Sequence, residues 1–217
     1  MGDIDNPKFQ QIVATAKTLF YKFGIRRVTI EEICCEANVS KMTFYKHFSN
    51  KVELVKFLIK KMTNESMAAY RKIMDQPIPF SEKVKQSVQL KMEGTEDLSQ
   101  EFFLDIHRDA NPEILQLFDE IAQKNINEII NDYVEAQKKG EIRSDIKPEF
   151  IHFFLNHMFT LAEDENLARL YQSPQAIIME LTNFFFYGIL PREEDEKRSK
   201  NVKTIKPRRN KNGNERV

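Results

Sequence analysis

One segment, residues 28–48, constrains the fold of this chain more than any other, because its pattern predicts two short helices joined by a tight turn. Four apolar residues of its first half recur on one face at helical spacing: Ile30, Ile33, Cys34 and Ala37. Thr29 precedes this face as an N-cap, and Glu32 three residues later completes a capping box. Asn38 tolerates the left-handed backbone conformation that a three-residue turn requires. The segment is therefore predicted to form a helix-turn-helix.

The second helix of this segment is predicted to begin after the cap Ser40, and most of its surface is polar. Only Phe44 and Phe48, four residues apart, are predicted to face the interior of the protein. The outward face carries the remaining side chains: Lys41, Met42, Thr43, Tyr45, Lys46 and His47. A short helix with such a face can enter the major groove of DNA between two phosphate walls.

The run from Phe23 to Leu58 resembles the DNA-binding domain of the TetR family of bacterial transcription regulators. The matching residues stand at fixed spacing: Phe23-Gly24, Val28-Thr29-Ile30, Ile33, Ala37, Val39-Ser40, Thr43-Phe44-Tyr45, His47-Phe48, Asn50-Lys51 and Leu54. Asn38 stands where the family usually has Gly, and Met42 where it often has a small residue, which leaves the base preference open. The resemblance covers roughly the first third of the chain, and the rest matches only in its helical pattern.

The outward face and the resemblance together define the expected DNA contacts. Lys41, Met42 and Thr43, at the start of the second helix, are expected to meet base edges. Ser40 and Lys46 are also expected to contact DNA. Tyr45, His47 and Lys51 match the family's phosphate contacts. Thr29 heads a helix whose backbone N–H groups can face a phosphate. Arg26 and Arg27 lie just before it, within reach of the DNA backbone.

The whole chain carries helical patterns, without an alternating strand run between turn signals. We predict an all-α protein of about nine helices. An N-terminal three-helix domain, residues 5–65, is joined by a long fourth helix to a C-terminal ligand-binding and dimerisation domain, residues 66–190. Residues 191–217 are predicted to be a disordered basic tail, which either adds DNA affinity through counterion release or only solubilises the protein.

The last two predicted helices, from Pro148 to about Ala162 and from Pro174 to about Gly188, are apolar around nearly their whole circumference. Such helices must be buried on two sides, one against their own core and the other against a partner. The resemblance implies an intersubunit four-helix bundle, so that a homodimer binds a palindromic operator. The expected interface residues are Phe150, Ile151, Phe154, Met158, Ile177, Leu181, Phe184 and Phe185.

The resemblance also implies a small-molecule cavity among the helices of the second domain. Its expected lining combines aromatic residues with polar residues inside apolar stripes: Phe102, Phe103, His107, Asn125, Tyr133, Phe153, Asn156 and His157. The expected function is a repressor relieved by a ligand, which shifts the fourth helices and moves the DNA-binding domains off the half-site spacing. An adaptor controlled by a protein partner remains an alternative.

Charge is distributed unevenly along a chain whose formal net charge is zero. Residues 1–61 carry a net +5, residues 62–190 a net −10 and residues 191–217 a net +5, so only the two ends are expected to meet a polyanion. The sequence shows neither a signal peptide nor an apolar run near the ~20 residues of a membrane helix. With Cys34 and Cys35 too close along a helix for an unstrained disulfide, a reduced, cytoplasmic location is expected.

The sequence predicts neither a catalytic centre nor a metal or cofactor site. His152 and His157 are five residues apart, which places them ~140° apart around a helix, a poor geometry for chelation. A Gly-rich phosphate loop, a nucleophile elbow and a zinc-binding helix motif are all missing from the sequence. A helical enzyme that happens to contain the motif is the rival class, which a lack of specific DNA binding would favour.

Overall fold

A computed structural model describes residues 5–107, 111–162 and 164–191, and within those ranges all regular structure is helical. The segments are α1 (Pro7–Phe23), α2 (Ile30–Glu36), α3 (Lys41–His47), α4 (Lys51–Met74), α5 (Phe80–Gly94), α6 (Gln100–His107), α7 (Pro112–Lys138), α8 (Pro148–Ala162), α9 (Glu165–Ala168) and α10 (Pro174–Ile189). Because α9 is a single turn, nine longer helices remain in the described ranges. The prediction of an all-α fold with about nine helices is confirmed.

The first three helices and the first half of α4 enclose one apolar core. The side chain of Asn6 caps α1 by accepting a hydrogen bond from the Lys8 N–H at 2.9 Å, and the helix ends at Gly24, whose φ is 82°. The stripe that α1 buries holds Phe9, Ile12, Val13, Ala16 and Phe20. The Phe9 ring meets the rings of Phe48 and Phe57 at 5.3 and 5.1 Å, so aromatic contacts fix α1 against α3 and α4.

The second half of α4 packs with α5, α7, α8 and α10 around a second core. An ion pair reinforces this packing, since Arg71 of α4 donates two hydrogen bonds to Asp132 of α7, at 2.9 and 2.8 Å. Such a bidentate pair fixes both distance and angle between the two helices. The long α4 therefore runs from the first core into the second, as the sequence predicts.

Helix α6 links the first core to a third, smaller apolar cluster. Its residues Phe102 and Ile106 are buried in the first core, whereas Phe103 packs in a small third cluster with Ile177 and Ile178 of α10. The backbone N–H of Ser99 donates to the Tyr21 carbonyl of α1 at 3.1 Å, just before α6 begins. Helix α6 is thus in contact with α1 on one side and with α10 on the other.

The structure corrects part of the predicted interface between subunits. Ile151, Ile177 and Phe185 are only 2%, 3% and 7% exposed, because they are buried in apolar clusters within the chain itself. Phe154 is half-buried and stacks on Phe185 at 5.3 Å, and Met158 and Leu181 are also half-buried. A sequence that is apolar on every side of a helix cannot show which side its own domain covers.

Two predictions concern parts of the chain that lie outside the described structure. The tail from residue 192 to residue 217 is one, and the side chain of His107 at the end of α6 is the other. Among the described residues, every helix is too short or too polar to cross a membrane.

Candidate nucleic-acid interface and internal cavity

The start of α2 is fixed by a complete capping box. The Thr29 hydroxyl accepts a hydrogen bond from the Glu32 backbone N–H at 3.1 Å, and the Glu32 carboxylate accepts one from the Thr29 N–H at 2.7 Å. The hydrogen bonds that the Thr29 N–H and hydroxyl donate to the Glu32 carboxylate lower the pKa of Glu32, because they stabilise its charged form. The predicted capping box is confirmed, and it sets where α2 begins.

The turn between α2 and α3 has the geometry that the sequence predicts. Asn38 has a φ of 49°, in the left-handed region that Asn tolerates better than most residues. The Ser40 hydroxyl then accepts from the Thr43 N–H at 3.1 Å and caps α3. Phe44 is fully buried and anchors α3 in the core. The orientation of α3 therefore follows from residues close to it in sequence.

The outer face of α3 is open to solvent over most of its length. Met42 is 70% exposed and Tyr45 is 53% exposed, and Lys41 and Lys46 are also exposed. Thr43 is half-buried. The exposed face therefore carries the Tyr45 hydroxyl, the ammonium groups of Lys41 and Lys46 and the Met42 thioether. Such groups can bind base edges and phosphates.

Lys41 and Glu31 form an exposed ion pair between α3 and α2. The hydrogen bond to Glu31 raises the pKa of Lys41, and the same bond lowers the pKa of Glu31. A DNA phosphate or base at Lys41 would compete with this carboxylate. Sequence reasoning missed Glu31, although its exposed position at the start of α2 gave the signal.

Lys51 is placed differently from the prediction that it contacts a phosphate. Its ammonium donates to three backbone carbonyls of the α1–α2 loop, those of Ile25 at 2.9 Å, Arg26 at 3.3 Å and Val28 at 2.8 Å. An ammonium has three N–H donors, and these contacts engage all of them. Partial burial lowers the pKa of Lys51. The Lys51 side chain therefore holds the α1–α2 loop through hydrogen bonds within the protein.

The remaining predicted contacts surround this loop and the end of α3. The Arg27 guanidinium lies 4.6 Å from the Phe23 ring centre, at the protein surface. The Arg26 backbone N–H donates to the Asp105 carboxylate at 2.8 Å, a contact that sequence reasoning did not find. His47 is half-buried beside Phe9 at 5.5 Å, and its Nδ1 has no hydrogen-bond partner among the described residues. The pattern had placed His47 fully outward.

Aromatic residues project outward from the last helices. Phe150 and Phe153 of α8 are 61% and 59% exposed, and Phe184 and Tyr187 of α10 are 74% and 69% exposed. Two of these, Phe150 and Phe184, are among the predicted interface residues. Exposed aromatic side chains in this number are typical of a surface that another protein covers.

A cavity of about 430 Å³ lies between the cores, lined by α1, α4, α5, α6, α7, α8 and α10. Phe102, Phe103 and Asn125 line it, as the sequence predicts. Tyr133 does not, since it is buried in the second core beside Phe80. Phe153 points outward and stacks on the exposed His157 at 4.1 Å. Asn156 accepts a hydrogen bond from Gln123 at 2.9 Å.

The buried Phe44, the left-handed turn at Asn38 and the exposed face of α3 define a helix-turn-helix protein of the all-α class. Residues 12–57 match the family model described as bacterial regulatory proteins, tetR family. The HTH-type transcriptional regulator TtgR of Pseudomonas putida is 35% identical over 72 residues, which span 32% of this chain and 34% of TtgR. The match thus covers about a third of this relative. Over residues 12–57 the chain is thus similar to the bacterial regulatory proteins of the tetR family.

Two solved structures are similar to the chain over most of its length. One is a putative transcriptional regulator from Saccharomonospora viridis in complex with choline, 18% identical, with a TM-score of 0.66 over 84% of this chain and 97% of that chain. The other is the transcriptional regulator FadR from Bacillus subtilis in complex with stearoyl-CoA, 16% identical, with a TM-score of 0.64 over 83% of this chain and 99% of that chain. Such identities establish a shared fold alone.

The family matched by residues 12–57 is one of regulatory proteins, and that the chain is not an enzyme stays a prediction. Within the described residues, no three His, Cys, Asp or Glu side chains converge to hold a metal ion. That no cofactor is needed stays a prediction.

Proposed function

We propose that this protein is a homodimeric, DNA-binding transcription regulator that inserts α3 into the major groove of each half of a palindromic operator. The observation that carries the proposal is the outer face of α3, where Lys41, Met42, Tyr45 and Lys46 are exposed while Phe44 anchors the helix from within. The residues expected to contact base edges are Lys41, Met42 and Thr43. Tyr45 and Lys46 lie where phosphates would pass.

We propose that the regions around the two cores have different functions. Residues 5–65 bind DNA, and residues 66–190 bind the ligand and the second subunit. The exposed aromatic residues of α8 and α10 support a dimer formed through these helices, since α3 alone is too short to specify a long site. A two-fold axis would pair two α3 helices with two half-sites one helical turn apart.

The proposed regulation is relief of repression by a small molecule in the cavity. Met62, Thr63 and Met67 of α4 line the cavity, so a ligand there would bear on the helix that runs into the DNA-binding domain. Two proteins of similar fold carry choline and stearoyl-CoA in their solved complexes, which supports a small-molecule effector for this chain. A ligand that prefers one orientation of α4 shifts the population toward it.

The test is selection of bound sequences from a random DNA pool with the full chain. We expect an inverted repeat whose half-sites are about 10 base pairs apart, centre to centre. Lys41→Ala and Thr43→Ala should change the preferred bases at ~1–3 kcal/mol per lost contact. The matched control is Lys124→Ala on the exposed surface of α7, which should select the wild-type motif. A pool that stays random with every variant would contradict the proposal.

A further inference from the structure

Met42 projects from α3 as a large apolar side chain that is 70% exposed. Single exposed apolar residues are common on protein surfaces, so exposure alone assigns no role to this side chain. Its surroundings are more informative, because Lys46 follows four residues later on the same side of the helix, and Lys41 and Tyr45 are exposed as well. An apolar group therefore stands among side chains that can bind DNA.

The inner side of α3 determines the direction in which Met42 points. Phe44 is fully buried, and its ring lies 5.9 Å from the ring of the buried Phe48. Residues 42 and 44 are two positions apart, which places them about 200° apart around a helix. Met42 thus lies nearly opposite the anchor of α3. When the outer face of α3 enters a major groove, Met42 faces the base edges.

Both sequence neighbours of Met42 already have polar partners within the protein. Lys41 is paired with the Glu31 carboxylate of α2. The Thr43 hydroxyl lies 2.9 Å from the Ser40 hydroxyl, which also accepts a hydrogen bond from the Thr43 N–H. A base that binds Lys41 or Thr43 has to compete with these partners. A thioether is only a weak hydrogen-bond acceptor, so Met42 can meet a base edge without such competition.

The chemistry of a thioether side chain selects one base among the four. In the major groove, thymine presents an apolar C5 methyl group, whereas the other bases present hydrogen-bond donors and acceptors. Packing Met42 against those polar groups would remove them from water without replacing their hydrogen bonds, which is unfavourable. Met is also unbranched and flexible, so its end can adapt to the position of a methyl group. Thymine is therefore the base that Met42 fits.

We propose that Met42 selects a thymine in each half of the operator by packing on the C5 methyl group of that base. The assignment rests on the proposed function and deepens it, because it names a base that α3 recognises and the residue that recognises it. Lys46, one turn further along the same side of α3, would bind a phosphate and hold Met42 in position. Loss of one methyl group from this contact should weaken operator binding about fourfold.

Deoxyuridine lacks only the methyl group of thymidine, so replacing each thymine of the selected operator in turn tests the assignment with the full-length protein. We expect one symmetric pair of positions at which deoxyuridine weakens wild-type binding about fourfold per half-site. Met42→Ala should bind the unmodified operator more weakly and show no further loss at these positions. Met42→Leu should keep the sensitivity because Leu is apolar, whereas Met42→Gln, with a side chain of similar length, should lose it.

The matched control is Met92→Ala, which removes another exposed methionine, on α5, and should keep the wild-type sensitivity to deoxyuridine. Thermal unfolding checks that every variant is folded, as the exposure of Met42 leads us to expect. If no deoxyuridine weakens wild-type binding, or if Met42→Ala keeps the full wild-type loss, the assignment to Met42 is overturned while the proposed function stands. A DNA pool that stays random with the wild-type protein would overturn the proposed function and the assignment together.

Discussion

Asp105 of α6 accepts a hydrogen bond from the backbone N–H of Arg26 at 2.8 Å, across 79 residues of sequence. Asp105 is 8% exposed, and the same carboxylate oxygen lies 2.7 Å from the position that a Cβ on Gly24 would occupy. The bond therefore joins the cavity-lining helix to the loop that precedes the helix-turn-helix. The Lys51 ammonium binds the same loop through three carbonyls. Two opposite charges thus hold one short loop.

We expect Asp105→Ala to loosen the contact between α6 and the loop that joins α1 to α2. The Arg26 N–H would lose its acceptor, at a cost of about 1–3 kcal/mol in the free energy of unfolding. Thermal unfolding should show a midpoint lowered by about 2–4 °C per kcal/mol lost, and hydrogen exchange of the loop amides should speed up. Asp105→Asn keeps an acceptor oxygen and should fall between the alanine variant and the wild type. A loop equally protected in Asp105→Ala would mean that other contacts hold it.

The Lys51→Met variant tests whether Lys51 stabilises the fold or binds DNA. The variant leaves three loop carbonyls without their charged donor, and hydrogen bonds to a charged group contribute about 1.5–3 kcal/mol to stability. We expect a lower free energy of unfolding by urea titration and an unchanged salt dependence of DNA binding. Lys46→Met is the matched comparison on the exposed face of α3. It should leave stability unchanged and reduce the slope of log K against log salt by about one. The reverse pattern would restore Lys51 as the phosphate contact.

Removing the carboxylate that competes for Lys41 should strengthen DNA binding. In Glu31→Gln, Lys41 loses its ion-pair partner, and a negative charge near the phosphates disappears as well. We expect a severalfold gain in operator affinity at low salt that shrinks as salt rises, because Debye screening weakens the competing pair and the repulsion alike. Glu36→Gln, an exposed glutamate on the same helix, is the control and should gain less. Equal affinities of Glu31→Gln and wild type would show that Lys41 does not reach DNA.

The helix-turn-helix could be predicted because its determinants are local. The helix caps and the turn each depend on residues at most three positions apart: Thr29 with Glu32, Asn38 alone, and Ser40 with Thr43. Their spacing in the sequence is therefore enough to predict where each helix begins and where the chain turns. Helix starts were equally clear where Asn or Ser precedes Pro, as at α7 and α10. The existence of a cavity near Phe102 came only from the family resemblance.

The contacts missed by the sequence are the long-range ones. Whether Lys51 turns to a phosphate or to the loop carbonyls depends on how α4 packs beside residues 25–28, which no spacing along α4 reveals. Asp105 sits in the stripe of Phe102 and Ile106, and a carboxylate within an apolar stripe was the available signal of a buried partner. On α8, Phe150 and Ile151 are adjacent and equally apolar, yet one is 61% exposed and the other 2%.

Exposed and buried aromatic residues of α8 and α10 can now be told apart, so the predicted dimer can be tested at an exposed residue. Phe184 is 74% exposed in the protomer, so Phe184→Glu should leave the fold of a single chain intact. At a two-fold interface the same change buries a carboxylate without a partner, which is strongly unfavourable. We expect sedimentation to show a monomer with wild-type helical content, and specific operator binding to be lost because one α3 reads only one half-site. Met92→Glu, on the exposed surface of α5, is the control and should remain a dimer. A Phe184→Glu protein that still sediments as a dimer would place the interface elsewhere on the surface.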